Sequence, residues 1–198
     1  MTEVLMFGTV LTMSNLADDL TKSLSSIVSG AGDVASTVQN VARANIVKLL
    51  QGAGDVATTG LRTVDQVVDE GLETISSTGA SLTDGATGLV RGVVDGAKDT
   101  GVNATEAAGE AASQAVKTAS KVGGDVGEVA ISSVEGAIKA AGDIGEDSGE
   151  LAKSAVMGTL KAAGEIGSEA GGIVRKALLS AAALPHDIID ALLTGKTE

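Results

Sequence analysis

The chain of 198 residues has no cysteine, no tryptophan and no tyrosine, and holds a single phenylalanine, a single proline and a single histidine. Without cysteine there can be neither a disulfide nor a thiolate metal site, which fits a reducing compartment. The lone histidine, His186, stands beside Pro185 at an expected helix start, so a catalytic triad or a histidine-based metal centre is out of reach. One aromatic is too little for a conventional globular core, in which aromatics and large aliphatics dominate the burial energy. Cations are scarce too: 14 Lys and Arg face 26 Asp and Glu, a net charge of −12, and no basic stripe exists to displace counterions from a nucleic acid. No run of about 18 uncharged apolar residues is present to cross a bilayer as one helix. The stretch Val4 to Leu11 follows Glu3 rather than a basic segment, so it does not read as a secretory signal. The expected location is cytoplasmic, with peripheral membrane contact.

What the chain does have is a repeat. Seven copies of a 22-residue unit run from Gly30 to Ala183, beginning at Gly30, Gly52, Thr74, Gly96, Thr118, Ala140 and Ala162. Periods of this length mean stacked arrays before anything else. Within the unit the apolar residues recur at positions 2, 5/6, 9, 13, 16/17 and 20/21, six turns in 22 residues, which is helical phase at about 3.67 residues per turn. That is the 11-residue period, and helices kept in contact by it supercoil to the right.

Wrapped on a helix, the unit separates three zones. The centre of the apolar face is small: Ala31, Ala97, Ala119, Ala141 and Ala163 at position 2, Ala42, Ala86, Ala108, Ala130 and Ala152 at position 13, and Gly79, Gly101, Gly123, Gly145 and Gly167 at position 6. Bulky flanks border it, with Val34, Val122, Ile144 and Ile166 on one side and Leu50, Leu72, Val94, Val116 and Leu160 on the other. The far side is charged, with Asp33, Asp99, Asp143 and Glu165 at position 4 and Glu106, Lys117, Glu128, Lys139, Glu150 and Lys161 alternating.

The apolar arc of roughly 130° is wider than a two-stranded seam. Glycine adds a second constraint, because each of the 27 glycines placed inside a helix costs about 1 kcal/mol relative to alanine, so helicity needs a partner surface. The expected fold is therefore all-α: long helices of 11/22-residue repeats in a right-handed coiled-coil homo-oligomeric tube or stalk of about four copies. The small centre then lines an apolar lumen; the ordinary alternative for the same arc is an antiparallel bundle, in which the Ala/Gly centre only allows close helix approach. In the later repeats that line reads Ala119, Gly123, Gly127, then Ala141, Gly145, Gly149, then Ala163, Gly167, Gly171, a four-residue spacing of small residues that lets backbones approach.

Two segments flank the array. Residues 1–29 hold the only Phe and three of the four Met residues, and aromatic and Met side chains are what interfaces favour. Met6, Phe7, Leu11 and Met13 are the expected partner-docking residues, the alternative for this segment being a simple cap on the bundle. Residues 184–198 follow the break at Pro185 and are expected to form a short amphipathic helix bearing Ile188, Ile189, Leu192 and Leu193.

Catalytic signals are thin. Gly30-Ala31-Gly32-Asp33-Val34-Ala35 and Gly52-Ala53-Gly54-Asp55-Val56-Ala57 match a G-x-G-x-x-A fingerprint, but that motif needs a preceding strand and a βαβ unit, and here it recurs inside a helical period. Glu146, Asp147 and Glu150 could hold a hard cation, although a solvated acidic face is the ordinary reading. Neither catalytic residues nor a metal site is expected, and the chain reads as a non-enzyme.

On its Gly/Ala-rich helical repeats and its Phe7/Met13 segment the chain resembles the stalk subunit of actinobacterial high-affinity uptake nickel-iron hydrogenases. That resemblance implies a scaffold that gathers hydrogenase heterodimers, associates with the membrane and passes menaquinone to them, with no covalently bound cofactor. Two other classes compete. A lipid-surface or granule-coating helix would carry Lys or Arg beside its apolar face and Trp or Phe within it, which this chain lacks. A stress-protectant helix, disordered when hydrated, sits poorly with a mean hydropathy of +0.27.

Overall fold

A computed structural model describes residues 17–23, 33–51 and 56–184, with side chains from residue 60 onward in the last stretch. Among the described residues there are helices and turns and no strand. Residues 17–23 are helical (α1), followed by α2 (Val34–Gln51), α3 (Val56–Thr78), α4 (Leu82–Thr100), α5 (Ala104–Lys121), α6 (Val126–Ile144), α7 (Ser148–Ile166) and α8 (Ser168–Ser180). The all-α class is as the periodicity implies. Length is where the structure departs from expectation, because the array is a chain of short helices, one per repeat, and not a continuous rod.

The breaks have a local cause. Position 6 of the later repeats ends a helix instead of facing a lumen: Gly101 and Gly145 take φ of 78° and 71°, a left-handed conformation that a Cβ disfavours. Gly79 and Gly123 do the same one period away in each direction. The amide of the next residue then bonds back to the carbonyl of position 2, as Val102 to Ala97 at 2.9 Å, Gly124 to Ala119 at 2.8 Å and Glu146 to Ala141 at 3.0 Å. Two residues after each glycine a side chain restarts the helix. The Asn103 Oδ1 accepts from the Glu106 amide at 3.0 Å, Asp125 Oδ1 from Gly127 and Glu128 at 2.8 and 3.0 Å, and Asp147 Oδ1 from Gly149 and Glu150 at 2.8 and 3.0 Å. Ser81 does the same for Asp84 at 3.2 Å. Terminal glycine followed by an N-cap reverses the chain within three or four residues.

Reversal at each period produces two layers. Helices α2, α4, α6 and α8 lie side by side in one, and α3, α5 and α7 in the other. Sequential helices are antiparallel: a Cβ on Gly71 of α3 would meet Leu89 of α4, and one on Gly85 of α4 would meet Ile75 of α3. Helices two apart are parallel, since Gly88, Gly92 and Gly96 of α4 meet Ala35, Gln39 and Arg43 of α2 in rising order. Chain order and contact therefore alternate as they do in stacked helical-pair repeats.

The core fills the space between the layers. Every described residue at position 13, namely Ala42, Val64, Ala86, Ala108, Ala130, Ala152 and Val174, is fully buried. The apolar arc that on a lone helix calls for neighbouring copies is satisfied inside one chain. Aromatics are unnecessary because alanine, valine and leucine pack at short interhelix distance. Leu20 of α1 joins this core.

Candidate functional site

Between helices of the same layer the contacts are of two kinds. Where α4 lies on α2 and α7 on α5, glycine brings backbone to backbone: a Cβ on Gly92 would overlap the Gln39 carbonyl oxygen, and one on Gly158 the Gly109 carbonyl oxygen. Charges also tie the rows together, along these same seams and between α4 and the end of α6. Arg43 Nε bonds Asp99 at 2.7 Å, Arg91 bonds Asp143 at 2.7 Å, Lys98 pairs with Glu146, and Lys117 bonds Glu165 at 2.8 Å. The charged zone expected at position 4 is thus used for cross-helix pairing, and each of these exposed pairs contributes at most about 1 kcal/mol.

The seam between α3 and α5 differs, because it is built from carboxylates. Asp69 of α3 accepts from three residues of α5: Gln114 Nε2 at 3.1 Å, Thr118 Oγ1 at 2.5 Å, and Lys121 Nζ at 2.9 Å. Burial raises the Asp69 carboxyl, but the hydrogen bonds from Thr118, Lys121 and Gln114 and the Lys121 charge outweigh it and leave it below the ordinary value. One turn earlier, Asp65 meets Glu110 instead of a donor. Burial first, then the Glu110 charge, pushes Asp65 up to about 7, with Lys117 opposing. Its Oδ1 is buried and accepts no hydrogen bond. Glu70 is also pushed up to about 7, by burial and then by Glu73. Asp65, Gln66, Asp69, Glu70, Glu73 and Gln114 line one cavity of about 470 Å³. The sequence reading missed this seam. The signal was there in Asp65, Asp69 and Glu73, spaced by four on one face of α3.

The residues singled out from sequence fall in different places. Ala119, Ala141 and Ala163 are fully buried at helix C-termini. Gly123, Gly145 and Gly167 are in turns with positive φ, and a Cβ there would meet nothing within 4 Å. Gly127 and Gly149 lie in first turns, and Gly171 lies in α8, 4.0 Å from the Ala163 carbonyl oxygen. The nine do not run as one line on a helix face, because the chain reverses at each turn glycine. Asp147 caps α7 and Glu146 pairs with Lys98, and among the described residues no group of His, Cys, Asp and Glu is arranged to hold a metal. Met6, Phe7, Leu11 and Met13, residues 30–32 and 52–55 of the two glycine fingerprints, and the 185–198 segment with His186 lie outside the described residues.

A further feature is positional. The large apolar side chains exposed among the described residues all sit at one end of the stack: Met157 and Ile166 on α7 at 54% and 39%, and Ile173 and Leu179 on α8 at 44% and 41%. Among the described residues no helix is long and apolar enough to cross a membrane. The geometry defines the class of the molecule as an all-α helical-repeat protein with a closed small-residue core and open layer faces. Comparison with protein-family models, curated proteins and solved structures returns no match.

Proposed function

We propose that this chain is a non-catalytic scaffold that assembles with copies of itself and presents its layer faces to other proteins. The observation that carries the reading is the apolar end formed by Ile173 and Leu179 of α8 with Met157 and Ile166 of α7. Stacked repeats need a terminal unit with a polar outer face to stay soluble alone, and among the described residues the polar face at this end is interrupted by these four apolar side chains. A second copy meeting it would bury those side chains. The layer faces, laced by ion pairs across successive rungs, then supply an extended platform of the kind stacked repeats use for binding.

The specific assembly is also a proposal: about four copies, peripheral at a membrane, gathering hydrogenase subunits and passing menaquinone. It is supported by the sequence resemblance. Because the small residues of one chain are spent on its own core and turns, a menaquinone path in this assembly belongs between copies.

Light scattering on the isolated chain tests the first step, with several copies expected and a monomer expected after Ile173→Glu with Leu179→Glu. Native purification followed by mass spectrometry tests the second, with hydrogenase subunits expected to co-purify. A wild-type monomer that brings down no oxidoreductase overturns both.

A further inference from the structure

The α3–α5 seam contains two polar rungs one helical turn apart, and only one is satisfied. At Asp69 the three donors of α5 meet a carboxylate. In the register set by Asp69 and Gln114, 45 residues apart, the position opposite Asp65 one turn earlier is Glu110, so two acceptors confront each other across parallel helices. The Asp65 Oδ1 is shut off from solvent with no donor, an arrangement that costs free energy unless a proton lies between the two carboxyls. Glycine contacts cannot hold this seam as they hold α2 on α4, because Gly71 of α3 faces Leu89 of α4 instead of α5.

We propose that the Asp65–Glu110 pair is a proton-operated latch on the α3–α5 seam: protonated, Asp65 donates to Glu110 and ties the helices; ionised, the two carboxylates repel and the seam loosens. The charged groups acting on Asp65 are Glu110 and Lys117 from α5 and Asp69 from its own helix. α2 and α4 also pack on α3, and no group of either is among those acting on Asp65. Lys117 is drawn away to Glu165 on α7 at 2.8 Å, which leaves Glu110 as the dominant neighbour.

The sign follows from linkage. A carboxyl raised from 3.8 to about 7 in the folded state holds its proton longer than in the open state, so the latch stabilises the seam below pH ~7 and is lost as pH rises through it. Between pH 6 and pH 8 the opening equilibrium should change by up to about tenfold, the change in the protonated share of a group titrating near 7. The latch does not depend on which partners the scaffold carries.

Hydrogen exchange of α3 and α5 amides in the full chain, corrected for the intrinsic pH dependence of exchange, reads the seam directly. Wild type should lose about tenfold protection between pH 6 and pH 8. Asp65→Asn keeps a donor toward Glu110, and Glu110→Gln supplies one from the other side, so both should hold the pH 6 level throughout. All three chains are compared in a Glu70→Gln background, because the other carboxyl titrating near 7 would add a response of the same sign. A wild-type seam with equal protection at both pH values overturns the latch. So does a response that persists in Asp65→Asn and Glu110→Gln.

Discussion

Gly158 of α7 lies directly against Gly109 of α5: a Cβ on Gly158 would overlap the Gly109 carbonyl oxygen, while one on Gly109 would sit 2.5 Å from Ser154 Oγ. Ser154 Oγ in turn donates to the Thr105 carbonyl at 2.7 Å. Two glycines facing each other across parallel helices set the spacing of that layer. Substituting Gly158 with alanine should therefore destabilise the fold by roughly 1–3 kcal/mol through overpacking, although alanine is the better helix former by about 1 kcal/mol. Gly142 and Gly164, where a Cβ meets nothing within 4 Å, are the internal comparison. Gly142→Ala and Gly164→Ala should each stabilise by up to about 1 kcal/mol. Urea unfolding of the three variants checks the contrast, and equal effects at all three positions would remove the close-approach argument.

The turn glycines act through conformation instead of space. Gly101 has a φ of 78° and open surroundings, so Gly101→Ala meets no clash and pays only the left-handed penalty, roughly 1–2 kcal/mol. Gly101→Asn should recover part of it, because asparagine tolerates that region. Thermal unfolding of the pair measures the difference.

The cap carboxylates are expected to matter individually. Asp125 and Asp147 each accept two amide hydrogen bonds, and replacement by alanine should cost about 1 kcal/mol apiece. Serine at either position should restore most of it. The two sites belong to successive turns and share no partner, so the double variant should show additive loss in denaturant unfolding.

Acid should loosen the Asp69 rung while it tightens the Asp65 rung. Asp69 is held below its ordinary 3.8 in the folded state, so its contribution is present above that value and disappears as pH falls through the folded pKa. Asp69→Ala leaves the fully buried Thr118 hydroxyl without that acceptor, at a cost of roughly 1–3 kcal/mol at neutral pH. The stability difference between wild type and Asp69→Ala should shrink steadily below pH 4. A difference that stays constant down to pH 2 would mean that Asp69 contributes by packing alone.

Overall dimensions separate the folded stack from an unbroken rod. Seven repeats in one continuous helix would extend roughly 230 Å, whereas a compact chain of this length has a radius of gyration of about 16–20 Å. Small-angle scattering on the dispersed chain should return the smaller dimension.

Much of the helix-level structure was legible in the residues. The 3.67 phase marks position 13 as the centre of the apolar face, and Ala42, Ala86, Ala108, Ala130 and Ala152 are all fully buried. The helix ends were legible too, though not by hydropathy. Gly101-Val102-Asn103 followed by Glu106, Gly123-Gly124-Asp125 followed by Glu128, and Gly145-Glu146-Asp147 followed by Glu150 each pair a terminal glycine with a capping side chain. A period averaged over the whole unit hides that signal, because a glycine on the apolar face and a glycine just past a helix end occupy the same position in it.

The sequence by itself determined that the chain is helical, which azimuth of each helix is apolar, and where the backbone can turn, because those depend on residues within a few positions of one another. Which surface the apolar arc meets was decided only in three dimensions. Periodicity specifies a direction around a helix axis and not the partner found there, so the same arc suits a ring of copies or the opposite layer of one chain. The tertiary structure selects the second, and with it the pairings of Arg43 with Asp99, Gly158 with Gly109 and Asp65 with Glu110. Those residues lie roughly two repeats apart, and they come together because reversal at every turn returns the chain to the same layer after each second helix.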